Sequence, residues 1–315
     1  MNRRIFIPMT LVGALTASAL AQNWTLSWSD EFTGLANTLP DAAKWNVEVV
    51  ANPANNEAQY YTNRTKNVSL NGAGQLELTA YKEVMGGKQS TSGRINTSGK
   101  FGQTYGRWEA RMKLPAGTGF WPAFWILGNN NGCGGWPNCG EMDIMENRGR
   151  LSTVSSSAMH GPNYSGDTPI QHTYTLPTGA TNFFADYHVF ALEWDSTQTR
   201  FYVDGALHYT VNRTDIQVYG TWVFNHTFHT LLNLAVGGVF DGNQLPPDSA
   251  FPAKVTVDYV RVYTRGATTM LRTGKVSRNY RDETGFRLWD GQVLFSTGGK
   301  YRHSALGRGL FMAVQ

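Results

Sequence analysis

Short runs of aromatic and β-branched residues recur along most of this 315-residue chain, and Gly, Asn, Pro or Asp separates each run from the next. The clearest runs are WTLSWSDEF, GQLELTAY, GRWEARMKL, HVFALEWD, TRFYVDGALHYTV, FHTLLNLAV and KVTVDYVRVY. Runs of this length and composition are typical of antiparallel strands. Helices are expected only as short turns, for example from Asp41 to Trp45. The pattern predicts an all-β fold, a sandwich or jelly roll, rather than a sheet whose strands alternate with helices.

A hairpin signal and a change of composition organise the second half of the chain. Asp204 and Gly205 stand between two apolar arms in FYVDGALHYTV, which predicts a hairpin. The regular strand pattern ends at VDYVRVYT, and beyond it the composition turns basic. We therefore expect a main domain at residues 22–264 and a basic C-terminal tail at residues 265–315.

The first 21 residues have the features of a secretory signal peptide. Two arginines precede an apolar stretch that ends in the small-residue pattern ALA at residues 19–21. The stretch is too short and wrongly flanked for a membrane span, and no other stretch is long and apolar enough to be one. The mature protein is expected to begin at Gln22 and to be secreted, to the extracellular space or the periplasm.

The formal net charge of +4 suggests an anionic partner, but its distribution argues against one. Residues 265–315 hold nine Lys or Arg against three acids. Residues 22–264 are left with 16 basic residues against 20 acidic ones. A mildly acidic main domain disfavours nucleic acid as a partner.

Cys133 and Cys139 are the only two cysteines, and they stand six residues apart in CGGWPNC. Secretion would place them in an oxidising compartment, which favours a disulfide over two free thiols. Two thiols alone are a poor zinc site, because a structural site needs four ligands.

The stretch GEMDIMENRG, residues 140–149, places three acids within an apolar, strand-like run. In a regular strand Glu141 and Asp143 share one face, whereas Glu146 falls on the other face with the core. An unpaired carboxylate there would be strongly destabilising. A β-bulge at residues 144–145 returns Glu146 to the acidic face and leaves both apolar residues in the core. A helix would not gather the acids in this way.

A pair of carboxyl groups on one wall of a cleft is the usual catalytic arrangement of glycoside hydrolases. One must be ionised to attack the anomeric carbon, and the other must be protonated to release the leaving sugar. Close neighbours on one strand suit the separation of roughly 5 to 5.5 Å found in retaining enzymes. Asp143 is expected to hydrogen-bond to Glu141 and to help hold the proton on the acid partner. A structural metal site or a solvated edge strand is the alternative, and the edge strand has no need of such a bulge.

GEMDIMENRG resembles the E-x-D-x-x-E signature of family 16 glycoside hydrolases, in the bulged form of laminarinases, agarases and carrageenases. Over about residues 24–264, further segments resemble bacterial laminarinases in the same order: WSDEF, NNEAQYYT, SGRINTSGKFGQTYGRWEARMKLPAGTGFWPAFWILG, MHGPNYSG, FYVDG, LNLAVGG and VDYVRVY. The resemblance implies a jelly roll of the concanavalin A-like lectin and glucanase type, with a concave substrate cleft. It also implies double displacement, with Glu141 as nucleophile, Asp143 as electrostatic assistant and Glu146 as general acid and base.

Further residues are predicted to bind substrate in the cleft. Tryptophan rings offer an apolar face to a pyranose, although large aromatic residues are more often in the core. The polar candidates resemble laminarinase positions, but an asparagine can instead form a turn, an arginine can pair with a surface acid, and a histidine can be structural. The predicted set is Trp136, Trp121, Trp125, Asn55, Arg94 and His160.

The resemblance also implies a structural calcium ion. Asp258 in VDYVRVY would supply a side-chain ligand, and backbone oxygens near Glu31 would complete the site. Calcium needs six or more oxygens, of which the sequence shows one or two. Such an ion would stabilise the fold, and no cofactor is expected to be required for catalysis.

Two segments depart from the family pattern or lie beyond it. The family often has a tryptophan soon after NLAVGG, whereas this chain reads GGVFDGNQLPP, so its stacking surface is expected to differ. The tail at residues 265–315 resembles the basic C-terminal sorting or surface-attachment segments of some secreted bacterial proteins. The alternative for the tail is a poorly ordered extension.

We expect a secreted, monomeric endo-β-1,3-glucanase whose partner is a laminarin-like β-glucan. Mixed-linkage β-1,3-1,4-glucan is the second substrate expected, because the signature determines the chemistry and leaves the shape of the subsites open. A sulfated galactan is disfavoured by the mildly acidic domain. The rival from another class is a lectin-like jelly roll that binds glucan without cleaving it, and the presence of all three acids argues against it.

Overall fold

The computed structural model of the chain describes residues 24–130 and 132–266, together with the backbone of four short strands between residues 272 and 295. Contacts within the chain define one compact unit at Trp24–Arg265 and assign the four short strands to another. The predicted signal peptide, residues 1–21, lies outside the described residues. Within the described part, no helix has the length and apolar character needed to span a bilayer.

The main unit consists almost wholly of β-strands. In chain order they are β1 (Trp24–Asp30), β2 (Asn46–Val47), β3 (Gln59–Tyr61), β4 (Val68–Leu70), β5 (Leu76–Met85), β6 (Lys88–Ser92), β7 (Arg94–Asn96), β8 (Gly106–Lys113), β9 (Phe120–Gly128), β10 (Glu141–Glu146), β11 (Val154–His160), β12 (Ile170–Thr175), β13 (His188–Trp194), β14 (Gln198–Val203), β15 (Ala206–Asn212), β16 (Phe228–Val236) and β17 (Ala253–Arg265).

The strands form two sheets. The larger sheet has the order β15-β14-β13-β8-β17-β5-β6-β3, with β1 paired to β17 and β4 paired to β5. The smaller sheet has the order β12-β11-β10-β9-β16-β7-β2. Neighbouring strands pair antiparallel, as β9 does with β10 and β16, whereas β3 and β6 are parallel. Neighbours such as β8 and β17 are distant in sequence, as a jelly roll requires, and the predicted fold class is confirmed.

Alternate residues of both sheets bury their side chains in one core. Trp108 and Val260 of the larger sheet belong to the same buried cluster as Phe124, Met142 and Leu232 of the smaller sheet. Burial in β8 alternates residue by residue, as expected for a strand with one face in the core. The opposite face of the smaller sheet is therefore the one that can present polar side chains to a ligand.

Turns and helical segments are short in the described part, as predicted. The predicted turn is present, since the N–H groups of Lys44 and Trp45 both donate to the Asp41 carbonyl oxygen at 2.9 Å. Asp204 and Gly205 have φ values of 50° and 79° and join β14 to β15 in the predicted hairpin. The helical segments are α1 (Arg213–Ile216) and the 3₁₀ turns Val239–Asp241 and Asp248–Ala250.

The tail contains paired strands. They are β18 (Arg272–Lys275), β19 (Arg278–Asp282), β20 (Gly285–Trp289) and β21 (Gln292–Phe295). β18 pairs antiparallel with β21, and β19 pairs antiparallel with β20. A role of this segment in sorting or attachment stays a prediction.

Candidate active site

A bulge in β10 brings three acids to one face of the smaller sheet. The register of β10 against β11 shifts between Asp143 and Glu146, so that Ile144 and Met145 together oppose a single residue of β11. Both apolar side chains are buried in the core cluster. Glu146 lines the same cavity as Glu141 and Asp143. The predicted bulge is confirmed at the predicted position.

The cavity above these acids has a volume of about 550 Å³. A second cavity of about 640 Å³ shares Ala54, Asn55 and Glu57 with it but contains none of the three acids. The acid-containing cavity is lined by every residue predicted to catalyse or to bind substrate, namely Glu141, Asp143, Glu146, Trp136, Trp121, Trp125, Asn55, Arg94 and His160.

Neighbouring side chains hold two of the acids in place. The Trp121 indole Nε1 donates a hydrogen bond to Glu146 Oε1 at 2.9 Å. His160 Nε2 lies 3.1 Å from Asp143 Oδ2. Both acids are buried. Each therefore has a defined orientation before any ligand enters the cavity.

Burial and mutual repulsion hold the three carboxyl groups toward their protonated forms. Burial is the main cause and raises the pKa of Glu141 to about 8 and the pKa of Asp143 to about 7, and the two groups are hydrogen-bonded to each other. Burial raises the pKa of Glu146 well above its usual range, and the negative charges of Asp143 and Glu141 raise it further. The raised pKa of Glu146 favours its protonated form, the form from which a general acid acts.

The three tryptophans lie at different depths in the cavity. Trp136 is 52% exposed, and its ring centre lies 6.2 Å from that of His160. Trp121 is only 9% exposed, whereas Trp125 is half-buried and donates from Nε1 to Asn233 Oδ1 at 2.8 Å. Trp136 thus presents the largest ring surface to a ligand.

A disulfide joins Cys133 and Cys139 and closes the loop that carries Trp136. The Cys139 carbonyl oxygen accepts a hydrogen bond from His226 Nε2 at 2.9 Å, and Cys139 itself is buried. One end of the loop is therefore anchored to the main unit, and the cross-link limits the conformations open to Trp136.

Arg94 and Asn55 line the cavity as predicted, and each also has the structural role that was given as its alternative: Arg94 forms an ion pair, and Asn55 lies in a turn. Arg94 Nε lies 3.0 Å from Glu48 Oε2, and its guanidinium carbon lies 5.3 Å from the Trp125 ring centre. Asn55 has a φ of 60°, and its carbonyl oxygen accepts a hydrogen bond from the Val239 N–H at 2.9 Å. The ion pair therefore holds Arg94, and the turn holds Asn55, at the wall of the cavity.

Two buried polar residues of the wall were not predicted. Glu57 is buried, and it accepts hydrogen bonds from Gln59 Nε2 at 2.6 Å and from the Tyr61 hydroxyl at 2.7 Å. Burial raises the pKa of Glu57. Asn233 Nδ2 donates to the Tyr61 hydroxyl at 3.3 Å. The signal available in the sequence was Asn233 as the one amide within the apolar part of FHTLLNLAV.

Phe240, in the segment that departs from the family pattern, forms part of the cavity wall. Its ring stacks on Trp121, with ring centres 5.0 Å apart and planes 23° apart. Arg148 donates from Nε to the Phe240 carbonyl oxygen at 2.8 Å, and its guanidinium carbon lies 3.9 Å from the ring centre. Gly238 has a φ of 94°, and a Cβ there would lie 2.8 Å from Trp121. In this segment the aromatic surface of the cavity is therefore a phenylalanine packed on Trp121.

Two groups of residues carry potential metal ligands. In residues 24–130 and 132–266, one group of three potential ligands, Glu141, Asp143 and His160, has ligand atoms within 4.8 Å of one another. The calcium ion stays a prediction, and the side chains of Glu31 and Asp258 both form ion pairs. Glu31 Oε2 lies 2.8 Å from an Arg261 nitrogen, and Asp258 Oδ2 lies 2.8 Å from an Arg111 nitrogen. Both carboxylates are therefore neutralised by arginines.

Comparison with known proteins agrees with the geometry of the site. Residues 55–261 match the family described as Glycosyl hydrolases family 16. A beta-glucanase of Rhodothermus marinus is 39% identical over 277 residues, which cover 84% of this chain and 94% of that protein. Glucan endo-1,3-beta-glucosidase A1 of Niallia circulans is 39% identical over 279 residues, which cover 80% of this chain and 39% of that protein.

Solved structures give the same result. The laminarinase catalytic domain of Thermotoga maritima has a TM-score of 0.72 and 39% identity, covering 78% of this chain and 100% of that domain. The resemblance found in GEMDIMENRG and the surrounding segments is confirmed. With its bulged strand of three acids, this chain belongs to family 16 of the glycoside hydrolases.

Proposed function

We propose that this chain is an endo-β-1,3-glucanase that hydrolyses laminarin-like glucans with retention of configuration. The observation that carries the proposal is the bulge of β10, which gathers Glu141, Asp143 and Glu146 on the floor of a cavity with tryptophan walls. The β-1,3-glucan substrate is supported by the names of the relatives, which include a glucan endo-1,3-beta-glucosidase and a laminarinase.

In the first step Glu141 attacks the anomeric carbon as its carboxylate, which is the minor form at neutral pH because burial raises its pKa to about 8. The bond from that carbon to the glycosidic oxygen breaks. Glu146 transfers its proton to the departing oxygen, which leaves as a hydroxyl group. Its raised pKa supports this role, and the Trp121 hydrogen bond occupies one of its oxygens and orients the other. The products are a covalent glycosyl-enzyme and a shortened glucan.

In the second step the Glu146 carboxylate takes a proton from water, and that water attacks the anomeric carbon from the face that the leaving group vacated. The bond to Glu141 breaks, so two inversions give net retention. Asp143 is hydrogen-bonded to Glu141 and lies beside His160. It tunes the charge on Glu141 as the bond to the sugar forms and breaks.

The proposal is tested by incubating residues 22–265 with laminarin, mixed-linkage β-glucan and agarose, and by measuring reducing ends and product lengths. Oligosaccharides from laminarin, with the β-anomer formed first in proton NMR, are expected. Cleavage of mixed-linkage glucan alone would support the second candidate substrate. Binding of laminarin with no products from any polymer would contradict the proposed enzyme and indicate a glucan-binding module.

We also propose that the enzyme is exported and acts as a monomer. The signal-like residues 1–21 and the disulfide between Cys133 and Cys139 support export, because disulfides persist in oxidising compartments. Size-exclusion chromatography with light scattering, together with mass analysis of the exported chain, tests both statements. A start at Gln22 and the mass of one chain are expected.

Replacing Phe240 with Ala is expected to raise KM for laminarin about 2- to 10-fold. The change removes an apolar ring from the cavity wall and the ring on which Trp121 is stacked. kcat is expected to change less, since Trp121 still bonds to Glu146. Phe240→Trp is the matched control and should keep a low KM. Equal KM values for the Ala variant and the wild type would contradict a role in binding.

Opening the disulfide is expected to raise KM for laminarin about 2- to 10-fold, because a mobile Trp136 must be ordered by the substrate. The comparison is the steady-state KM of the wild type with and without dithiothreitol. The variant Cys133→Ser with Cys139→Ser should show the raised KM and no response to reductant. A wild-type KM that reductant leaves unchanged would count against a binding role for the loop.

A further inference from the structure

One residue of β11 stands opposite the catalytic bulge. Asp143 pairs with Ala158 and Glu146 pairs with Ser156, so Ser157 alone faces the two bulged residues of β10. Its side chain is 1% exposed, and its Oγ donates a hydrogen bond to the Ile144 carbonyl oxygen at 2.9 Å. A bulge disturbs the ladder of backbone hydrogen bonds, and Ser157 supplies a partner at that point.

Ser157 is in turn linked to two histidines. His208 Nε2, on β15 of the larger sheet, lies 3.5 Å from Ser157 Oγ. His208 Nδ1 lies 3.4 Å from Nδ1 of His172, which is exposed and is the neighbour of Ser157 on β12. The chain of contacts therefore runs from the surface, through the edge of the larger sheet, to the catalytic strand.

The direction of these hydrogen bonds follows from the acceptor at the end of the chain. A carbonyl oxygen cannot donate, so the Ser157 hydroxyl hydrogen points to Ile144, and Ser157 Oγ accepts from His208 Nε2–H. His208 then presents a lone pair on Nδ1, and His172 donates to it. Burial lowers the pKa of His208 to about 4, and this keeps the ring neutral at the pH where the enzyme would work.

We propose that Ser157, oriented by His208 and His172, is a positioning residue that fixes the bulge and thereby the distance of Glu146 from Asp143 and Glu141. The proposal rests on the proposed glucanase function. Without the hydroxyl group the Ile144 carbonyl oxygen stays buried without this partner, and a bulge that relaxes carries Glu146 with it. A misplacement of about 1 Å can cost about 100-fold in rate.

The experiment compares Ser157→Val with Ser157→Thr, which match each other in size and differ in the hydroxyl group. The Val variant is expected to lose about 10- to 100-fold in kcat on laminarin with little change in KM. The alkaline limb of its kcat profile is expected to move to lower pH, because Glu146 leaves the buried position and the negative charges that raise its pKa. The Thr variant should stay close to the wild type in both readouts.

Amide hydrogen exchange at residues 144–146 gives a readout that needs no activity, and it is expected to be faster in the Val variant only. If the wild type has no glucanase activity, the proposed function fails while this measurement still tests the contact. Should the Ser157 variants not fold, His208→Phe and His208→Gln replace them, since Gln keeps an N–H donor. The proposal would be overturned if the Val and Thr variants of Ser157 had the same kcat, the same alkaline limb and the same amide exchange rates. The same equality between the Phe and Gln variants of His208 would also overturn it.

Discussion

Glu141→Gln is expected to reduce laminarin turnover by about four orders of magnitude or more while laminarin binding persists. The amide has nearly the shape of the carboxylate but is too weak a nucleophile to form the glycosyl-enzyme. The covalent intermediate, and with it the double displacement, is therefore lost. Reducing-end release measures turnover, and affinity electrophoresis in laminarin gels measures binding. A variant that keeps a tenth of the wild-type rate would exclude Glu141 as the nucleophile.

Two controls make this result specific. Glu77→Gln removes an acid of β5 that pairs with Lys254 and lies outside the cavity, and it should leave turnover unchanged. Glu141→Gly with added azide and an activated β-glucoside should form the α-glucosyl azide, because the anion attacks from the face that Glu141 vacated. The β-azide would instead assign Glu141 as the acid and base.

The second large effect is on stability. Glu141→Gln is expected to be more stable than the wild type at pH 8, by about 2 to 4 kcal/mol, and to show no such gain at pH 4. The folded pKa of Glu141 is about 8, above the usual value of 4.5. Between these values the folded chain binds more protons than the unfolded chain, so the free energy of unfolding falls as pH rises. Below about pH 4.5 both states are protonated.

Urea unfolding at pH 4, 6 and 8 measures this difference. The gain of the Gln variant should grow from pH 4 to pH 8 and should appear as a rise of several degrees in Tm at pH 8. Glu77→Gln is the matched control for the loss of one acid and should not show the growing gain. A wild type that is as stable as the Gln variant at pH 8 would mean that the Glu141 carboxyl is better solvated than its position indicates.

Much of the catalytic strand was predictable because strand geometry is local. Side chains alternate with a period of two, so the spacing of Glu141, Asp143 and Glu146 required one extra residue if all three acids were to avoid the core. The bulge lies where this parity argument placed it. The all-β class followed in the same way from short runs bounded by turn residues, as the hairpin at Asp204 and Gly205 shows.

The surroundings of the residues predicted to hold calcium could not be read from local sequence, and the calcium ion stays a prediction. VDYVRVY and WSDEF supply oxygens, but the packing of β1 and β17 also brings Arg261 to Glu31, and β8 brings Arg111 to Asp258. Each pairing joins residues more than a hundred positions apart in the sequence. Whether a carboxylate binds a metal ion or pairs with an arginine depends on which strand becomes its neighbour.

The strand content, the bulge and the three acids could be predicted from the sequence, because they depend on alternation and spacing within a few residues. The surroundings of the acids depend instead on how the strands pack. Phe240 stacks on Trp121, Glu57 and Asn233 both hydrogen-bond to the Tyr61 hydroxyl, and Ser157 contacts His208 of the other sheet. These contacts depend on which strands become neighbours. The local sequence pattern of a strand does not determine which side chains the neighbouring strand places beside it.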